Sequence, residues 1–583
     1  MKNYEPKRIL TGAEIIWECL IIEGVRTVFG YPGGAILPTY DAFYKYRKKI
    51  HHVLTRHEQG ATHMADGYAR ASGKVGVAMA TSGPGATNMI TGLATAMMDS
   101  SPIVCITGQV PRHFIGTDAF QETDITGAVI PVTKHCYLVM EINKLASTIS
   151  EAFYLARTGR PGPILIDIPK DIQNESVEFE YSNKLIQIPG YHLPPNPPNH
   201  HIIKVIKLIN EAKFPIIFCG NGVILSGASS EILKLAEKSG IPIATTLLGI
   251  GGVPDSHPLV LGMMGMHGHS WVNHAIQEAD LIIACGMRFD DRVTGKLNTY
   301  SPNSKKIHID IDASEFNKNV KVDISVHSDL KIFLKELNPY LKTHTHKKWL
   351  RKISFWRKES HGRDVLNRKH KVLMAAEVIR EIWKNTDENT VIITDVGQHQ
   401  MLEAQYYNHE NPRTLLTSGG LGTMGFSLPA GIGASFHSLE NEIWIIVGDG
   451  SIQMTITELA TAVQENSNIN IAIINNGYLG MVRQWQEMFY DARYSETPIT
   501  SPDYVIIAEA YGLSGQRVTS FDDINSAIKK AQSINGPAII EFIVEKEDLV
   551  YPMVSTGADL NDMVQRPKKD YNLKSDNKKE LLN

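Results

Sequence analysis

The sequence predicts an α/β chain built from three doubly wound parallel-sheet domains, and three observations carry that prediction. Short apolar runs without polar alternation, such as Ile443-Trp444-Ile445-Ile446-Val447, have the composition of strands buried on both faces. Such runs end in glycine-rich turns and then switch to helical spacing, as Gly448-Asp449-Gly450 does before Thr457-Glu458-Leu459-Ala460-Thr461-Ala462-Val463. A chain of 583 residues has room for three or four domains of ordinary size.

Composition excludes several classes of function. Hydrophobic content of 43% and charged content of 21% belong to a soluble globular protein. A net charge of -4 gives no reason to expect nucleic acid or an acidic membrane as partner. Cys19, Cys105, Cys136, Cys219 and Cys285 show no paired spacing, so neither a zinc site nor a disulfide framework is indicated, and a reducing compartment fits. No apolar run reaches bilayer length. Met1 to Lys7 has neither a secretory apolar region nor a transit-peptide composition. Abundant Ile, Lys and Asn, as in AT-rich genomes, point to a plastid stroma or otherwise a bacterial cytoplasm.

The first domain is expected over 8–185. Thr27-Val28-Phe29 is a strand entering Gly30-Tyr31-Pro32-Gly33-Gly34, and Val53-Leu54-Thr55-Arg56 is the next. His57-Glu58-Gln59-Gly60 opens a helix that ends near Gly73, where Glu58 by itself reads equally as a first-turn carboxylate on the helix dipole or as a functional acid. Thr81 to Asn88, after the strand Val75 to Ala80, reads better as a tight turn packed on its neighbour than as a phosphate cradle. The strand Ile103 to Thr107 precedes Gly116-Thr117-Asp118-Ala119-Phe120-Gln121-Glu122.

A proline-dense linker, Tyr191 to Asn199, separates a central domain expected over 200–340. Its strands, Phe214 to Phe218, Leu281 to Ala284 and Ile307 to Asp310, end in Cys219-Gly220-Asn221-Gly222 and Cys285-Gly286-Met287-Arg288-Phe289-Asp290 loops that suit a nucleotide, although no G-x-G-x-x-G fingerprint is present. His267, His269 and His274 lack a carboxylate placed to complete a metal site. The Lys- and Arg-rich stretch from Lys342 to Lys371, with Trp349, Phe355 and Trp356, reads as an exposed connecting helix whose aromatics dock on a domain.

The third domain is expected over 375–550 and a tail over 551–583, its Lys- and Asn-rich end after Arg566 expected to be mobile. Val391 to Thr394 leads to Asp395-Val396-Gly397-Gln398-His399, and Gly419 to Gly425 follows. Ile443 to Val447 and Ile469 to Ile474 then form a βαβ unit whose strand ends open on one sheet edge, bringing Asp449 beside Asn476. A carboxylate, an amide oxygen and one backbone carbonyl leave about three of the six oxygen positions of Mg²⁺ for a diphosphate and water. A lone Gly-Asp-Gly is an ordinary turn; an Asn pair 24 residues further on makes chance the weaker reading.

Gly448-Asp449-Gly450 with Asn475-Asn476, and Arg56-His57-Glu58-Gln59-Gly60, resemble the signatures of thiamine diphosphate enzymes. Neighbouring residues, over about 8 to 567, narrow the resemblance to the acetohydroxyacid (acetolactate) synthase large-subunit family. It implies that Glu58 bonds the cofactor's aminopyrimidine and favours its imino tautomer, a charge-assisted bond of about 1.5–3 kcal/mol. It places Gln398, His399, Gly422, Met424, Gly448, Asp449, Gly450, Ser451, Asn476 and Tyr478 at thiamine diphosphate, with Asp449, Asn476 and Tyr478 on Mg²⁺. Met424, otherwise readable as core, would prop the cofactor into its bent shape. FAD is implied near Arg160, Gly220, His267, Arg288, Asp290, Asp310 and Asp329. Phe120, Gln121, Lys170, Arg288 and Trp485 would face substrate, Gln121, Lys170, Met424 and Trp485 being counted with Glu58 as catalytic; the planar fork of Arg288 suits a carboxylate. Val482 and Trp485 share a helix face that core packing would equally explain.

The implied reaction decarboxylates pyruvate and ligates the two-carbon unit to a second pyruvate, giving 2-acetolactate, or to 2-ketobutyrate, giving 2-aceto-2-hydroxybutyrate. FAD would be structural. The implied partners are a second copy, as homodimer or dimer of dimers, and a small regulatory subunit. A flavin-containing pyruvate oxidase, a glyoxylate carboligase relative, a flavin oxidoreductase and a non-catalytic assembly subunit stand as alternatives.

Overall fold

The computed structural model describes residues 8–181, 186–437 and 440–568. Met1 to Lys7, the expected domain end at 185 and the tail from 569 onward lie outside the described residues. Among the described residues the chain forms three six-stranded sheets, all parallel, and a short antiparallel pair of Ile9–Thr11 with Ser176–Glu178.

The first sheet runs His51–Leu54, Thr27–Gly30, Gly76–Ala80, Ile103–Gln109, Ile164–Pro169, His135–Leu138. The third runs Leu415–Thr417, Val391–Thr394, Ile443–Gly448, Asn470–Asn475, Ala538–Ile543, Ser514–Val518. Numbered by their own appearance in the chain, both have the order 2-1-3-4-6-5. The central sheet runs Val260–Met263, Ile243–Thr245, Pro215–Cys219, Leu281–Cys285, Lys305–Asp310, Ile324–His327, which is 3-2-1-4-5-6, the dinucleotide-binding order. In each sheet the order reverses beside the first strand, and the loops leaving the two strands at that point frame a crevice. The central strands are buried on both faces because their residues are apolar, Ile foremost among them.

The first and third sheets share one apolar core. The helix Glu58–Ser72 lies against the helix Ser427–Ser435 so closely that a Cβ on Gly67 would stand 2.0 Å from the Ala430 carbonyl oxygen, and one on Gly433 1.9 Å from that of Met64. Small residues on both helices are therefore a condition of the packing. The connecting helix Lys347–His361 buries Trp349, whose indole N–H donates to the Pro215 carbonyl at 2.9 Å, and leaves Phe355 exposed. Past the last strand the chain returns to the central domain: Val554 donates to the Met266 carbonyl at 2.9 Å, and Leu560 and Met563 pack in the same core as Trp349.

Two local expectations are corrected. The strand expected over Val53 to Arg56 is His51–Leu54, because the N–H groups of Arg56 and His57 turn to the Glu458 carboxylate instead of a ladder. The crossover in the βαβ unit begins with a short helix Asp449–Gln453 before the helix Leu459–Gln464, so Asp449 itself stands at a helix start.

Candidate active site

The crevice of the third sheet holds the first half of the site. The register pairs Gly448 with Ile474, so Asp449 and Asn476 follow adjacent strand ends, as the spacing required. A cavity of about 70 Å³ there is lined by Gln398, His399, Gly448, Asp449, Gly450, Ser451, Asn476 and Tyr478 together. Asp449 is 1% exposed; its Oδ2 accepts the Ser501 hydroxyl at 2.7 Å and its carbonyl the Tyr504 hydroxyl at 2.6 Å. Burial raises its pKa against the pull of those bonds, so a cation beside it would relieve a real cost. Asn476 donates to Gln398 Oε1 at 3.2 Å, and its own oxygen takes the Tyr478 N–H at 3.1 Å with a lone pair to spare. Among the described residues no three His, Cys, Asp or Glu cluster as metal ligands. One carboxylate and one amide oxygen fit a hard cation that brings anionic oxygens with it, as a diphosphate does.

The rest of this cavity is shaped for the same guest. A Cβ on Gly448 would stand 3.0 Å from the His399 ring, and one on Gly450 2.9 Å from Leu479. Burial pushes the His399 pKa down to about 4, so the ring is neutral at pH 7, and its Nε2 is buried without a partner. An orphaned ring nitrogen in a polar pocket awaits a ligand or water.

The central crevice opens into a cavity of about 1000 Å³, in which Arg160, His267, Arg288, Asp290, Asp310 and Asp329 all share the wall. Gly220 stands just behind it: its Cβ would meet the Gly286 carbonyl oxygen at 2.2 Å, so the turns after the two strands that flank the reversal touch backbone to backbone. Gly222 donates to that same carbonyl at 3.0 Å. Arg160 reaches from the first domain, donating to Ser100 Oγ at 2.9 Å and to Asp312 and Glu315 at 3.1 and 2.7 Å. His267 bonds the Pro552 carbonyl at 3.2 Å, and burial holds its pKa near 4. The size, the strand order and the glycine contact fit a dinucleotide such as FAD.

The two cavities meet. Val396, Gly397, Met424, Met481 and Val482 line both, while Gly422 and Trp485 line the larger. Met424 is half-buried and stands at this doorway, not in an apolar core. Val482 is 49% exposed, so the face it shares with Trp485 looks onto the cavity; Arg483 and Gln484 form the buried face of that helix.

The first domain carries a separate group. Glu58, 9% exposed, accepts Asn88 Nδ2 at 2.9 Å. A Cβ on Gly85 would stand 3.2 Å from its Oε1, and one on Gly83 3.0 Å from Gln121 Cα, so Glu58 and Gln121 flank one glycine turn. The turn is packed on its neighbour, with Thr81 Oγ1 accepting the Ala35 N–H at 3.1 Å. Phe120 is 87% exposed, and Lys170 opens the helix Lys170–Asn174. None of Glu58, Phe120, Gln121 and Lys170 lines either cavity. Within one chain the two halves stay apart.

The histidines disperse: His269 stacks on Trp271 at 4.3 Å and His274 leans on Trp356 at 5.6 Å. Ser501, Tyr504 and Gln484, which bonds Gln398 Nε2 at 2.9 Å, were not legible beforehand, because Ser501 lies in the aperiodic loop 495–503 and the bonds of the other two depend on tertiary packing. Asn88 closes the glycine run Thr81 to Asn88, and the short polar residue ending that turn was the available signal.

Comparison with known proteins bears on the whole chain. Residues 10–128 match the N-terminal TPP binding domain of thiamine pyrophosphate enzymes, 202–337 their central domain and 395–542 their C-terminal TPP binding domain. An acetolactate synthase of Mycobacterium leprae is 46% identical over 576 residues, 97% of this chain and 92% of that one. The acetolactate synthase large subunit of Corynebacterium glutamicum is 46% identical, covering 96% and 91%. That of Cyanidium caldarium is 45% identical over 96% and 98%.

Proposed function

Because the chain belongs to the acetolactate synthase family of thiamine diphosphate enzymes, we propose that it decarboxylates pyruvate and joins the two-carbon unit to a second pyruvate or to 2-ketobutyrate, at the entry to branched-chain amino-acid synthesis. The observation that carries this reading is the meeting of Asp449 and Asn476 in one pocket whose doorway, at Met424, opens on the larger cavity.

Thiamine diphosphate, when bound, supplies the electron sink for decarboxylation and carboligation. The chain's own residues do the rest. Asp449, Asn476 and the Tyr478 carbonyl would hold Mg²⁺, while Gln398, His399, Gly448, Gly450 and Ser451 would enclose the diphosphate. Met424 would stand against the cofactor and Trp485 would wall the acceptor. Glu58 would hydrogen-bond the aminopyrimidine and favour its imino tautomer. Gln121, Phe120 and Lys170 face substrate, and Arg288 takes the acceptor carboxylate. The large cavity would hold FAD in a structural role, since the reaction transfers no net electrons. Gly422 closes the cofactor side of that cavity.

Glu58 lines neither the Asp449 pocket nor the large cavity of its own chain, which supports a complete site formed between two copies, in a homodimer or dimer of dimers. Relatives named as large subunits support a small regulatory partner. The functional units run over 8–185, 200–340 and 375–550, with 551–583 a tail. Among the described residues no helix is long and apolar enough to cross a membrane; plastid stroma or bacterial cytoplasm rests on composition.

The test is acetolactate formed from pyruvate with thiamine diphosphate, Mg²⁺ and FAD added or withheld. The expected result is activity that needs the first two and is unchanged by oxygen. Acetate formed with oxygen uptake would replace this reading with a pyruvate oxidase.

A further inference from the structure

A third cavity, of about 360 Å³, lies between the central and third sheets, with Met263 lining both it and the large cavity. Its walls come from the connecting helix, the helices Ala375–Asn385 and Gln398–Tyr406, and the returning segment near Tyr551 and Arg566. Nothing in the proposed reaction uses it.

Its charge is uneven. Arg357, Arg363, Arg380 and Arg566 line it, against Asp255 and Asp364. Asp255 takes the His409 N–H at 2.8 Å, and burial pushes its pKa up to about 6; Asp364 accepts the Tyr406 hydroxyl at 3.2 Å and the Leu366 N–H at 3.0 Å. Arg566 pairs with Asp548 at 2.6 Å, and Arg363 spends one N–H on the Arg566 carbonyl. Arg357 and Arg380 make no hydrogen bond among the described residues; each lies over a ring, Trp271 at 5.4 Å and Trp383 at 4.7 Å. Arg368, within reach of the charges of Arg566 and Arg363, has a buried Nε without a partner, and burial followed by those two charges lowers its pKa. Four guanidinium forks against two carboxylates, with the donors of Arg357 and Arg380 unspent, match a planar or tetrahedral oxyanion.

We propose that this cavity binds a small oxyanion bearing two or more negative charges, a phosphate ester or a dicarboxylate, seated between Arg357, Arg363 and Arg380. Its chemistry differs from that of the diphosphate pocket, which relies on a carboxylate, an amide and a cation.

The experiment uses holoenzyme saturated with thiamine diphosphate, Mg²⁺ and FAD, so that their own phosphate sites are filled. Inorganic phosphate and malonate are titrated separately by calorimetry at constant ionic strength. At least one should bind saturably, the tighter identifying the class, and Arg380→Gln and Arg357→Gln should each weaken it at least tenfold while acetolactate formation stays at the wild-type rate. Arg357 is exposed on the connecting helix, so its variant reports even if Arg380→Gln fails to fold. Absence of saturable binding by both probes, or binding indifferent to the Arg357 substitution, overturns the proposal.

Discussion

The Glu458 carboxylate accepts the His57 backbone N–H at 3.0 Å, joining the crossover of the βαβ unit to the start of the helix that carries Glu58. The same carboxylate takes the Arg56 N–H at 3.1 Å and the Thr461 hydroxyl at 2.7 Å. Asp449 and Glu58 are thus tied within one chain through a segment that begins at one and bonds the backbone beside the other, even though Glu58 does not line the Asp449 pocket.

Glu458→Ala leaves two backbone donors and a hydroxyl without their acceptor. The expected loss is about 1–3 kcal/mol of stability, typical of stranded buried donors. Thermal unfolding would show it, with a larger fall in turnover than in FAD content.

Glu58→Gln keeps the size and can still meet Asn88, but removes the charge. A fall in kcat of about 10²–10⁴, the usual range for a proton-handling group, should come with unchanged unfolding temperature and circular dichroism. Wild-type turnover would remove its assigned role.

Asp449→Ala should raise the Mg²⁺ concentration for half-maximal activity by about a hundredfold or more, because a methyl group offers a hard cation no oxygen and leaves the Asn476 amide as the one side-chain ligand. FAD retention, read from flavin absorbance, should be unaffected, since the larger cavity does not include Asp449.

Gly220→Ala has the opposite profile. The new methyl would stand 2.2 Å from the Gly286 carbonyl oxygen, which forces the two turns apart. Flavin content should fall severely, while thiamine diphosphate binding to what remains folded is retained.

Asp167 supplies a pH signature. Burial pushes its pKa up from 3.8 to about 7, against the hydrogen bonds from Thr107 and Gln109. The native chain therefore holds a proton over that window which the unfolded chain has lost, and this residue's contribution to stability declines as pH rises through it. Asp167→Asn should flatten the decline, seen as an unfolding-temperature difference from wild type that grows in the variant's favour between pH 4 and pH 7.

Much of this was legible from local pattern. Val391 to Thr394 is the strand expected to the residue, the helix opened by Glu58 ends at Ser72 before Gly73 in the left-handed region, and Trp349 docks as a connecting helix's aromatic should. These follow from burial periodicity and capping, which act over a few residues. Ser501, Tyr504 and the doorway role of Met481 were not legible, because each depends on a loop arriving from some fifty residues away or on two cavities meeting.

By itself the sequence determined the α/β class, the pairing of Asp449 with Asn476 and the glycines at strand ends, since spacing across one βαβ unit dictates which strand ends are neighbours. Only the tertiary structure decided that the central strands run 3-2-1-4-5-6, that the face of Val482 and Trp485 looks onto a cavity, and that the Asp449 pocket and the large cavity meet at Met424. Strand order and domain contact arise from packing among residues hundreds of positions apart, and no local pattern encodes that.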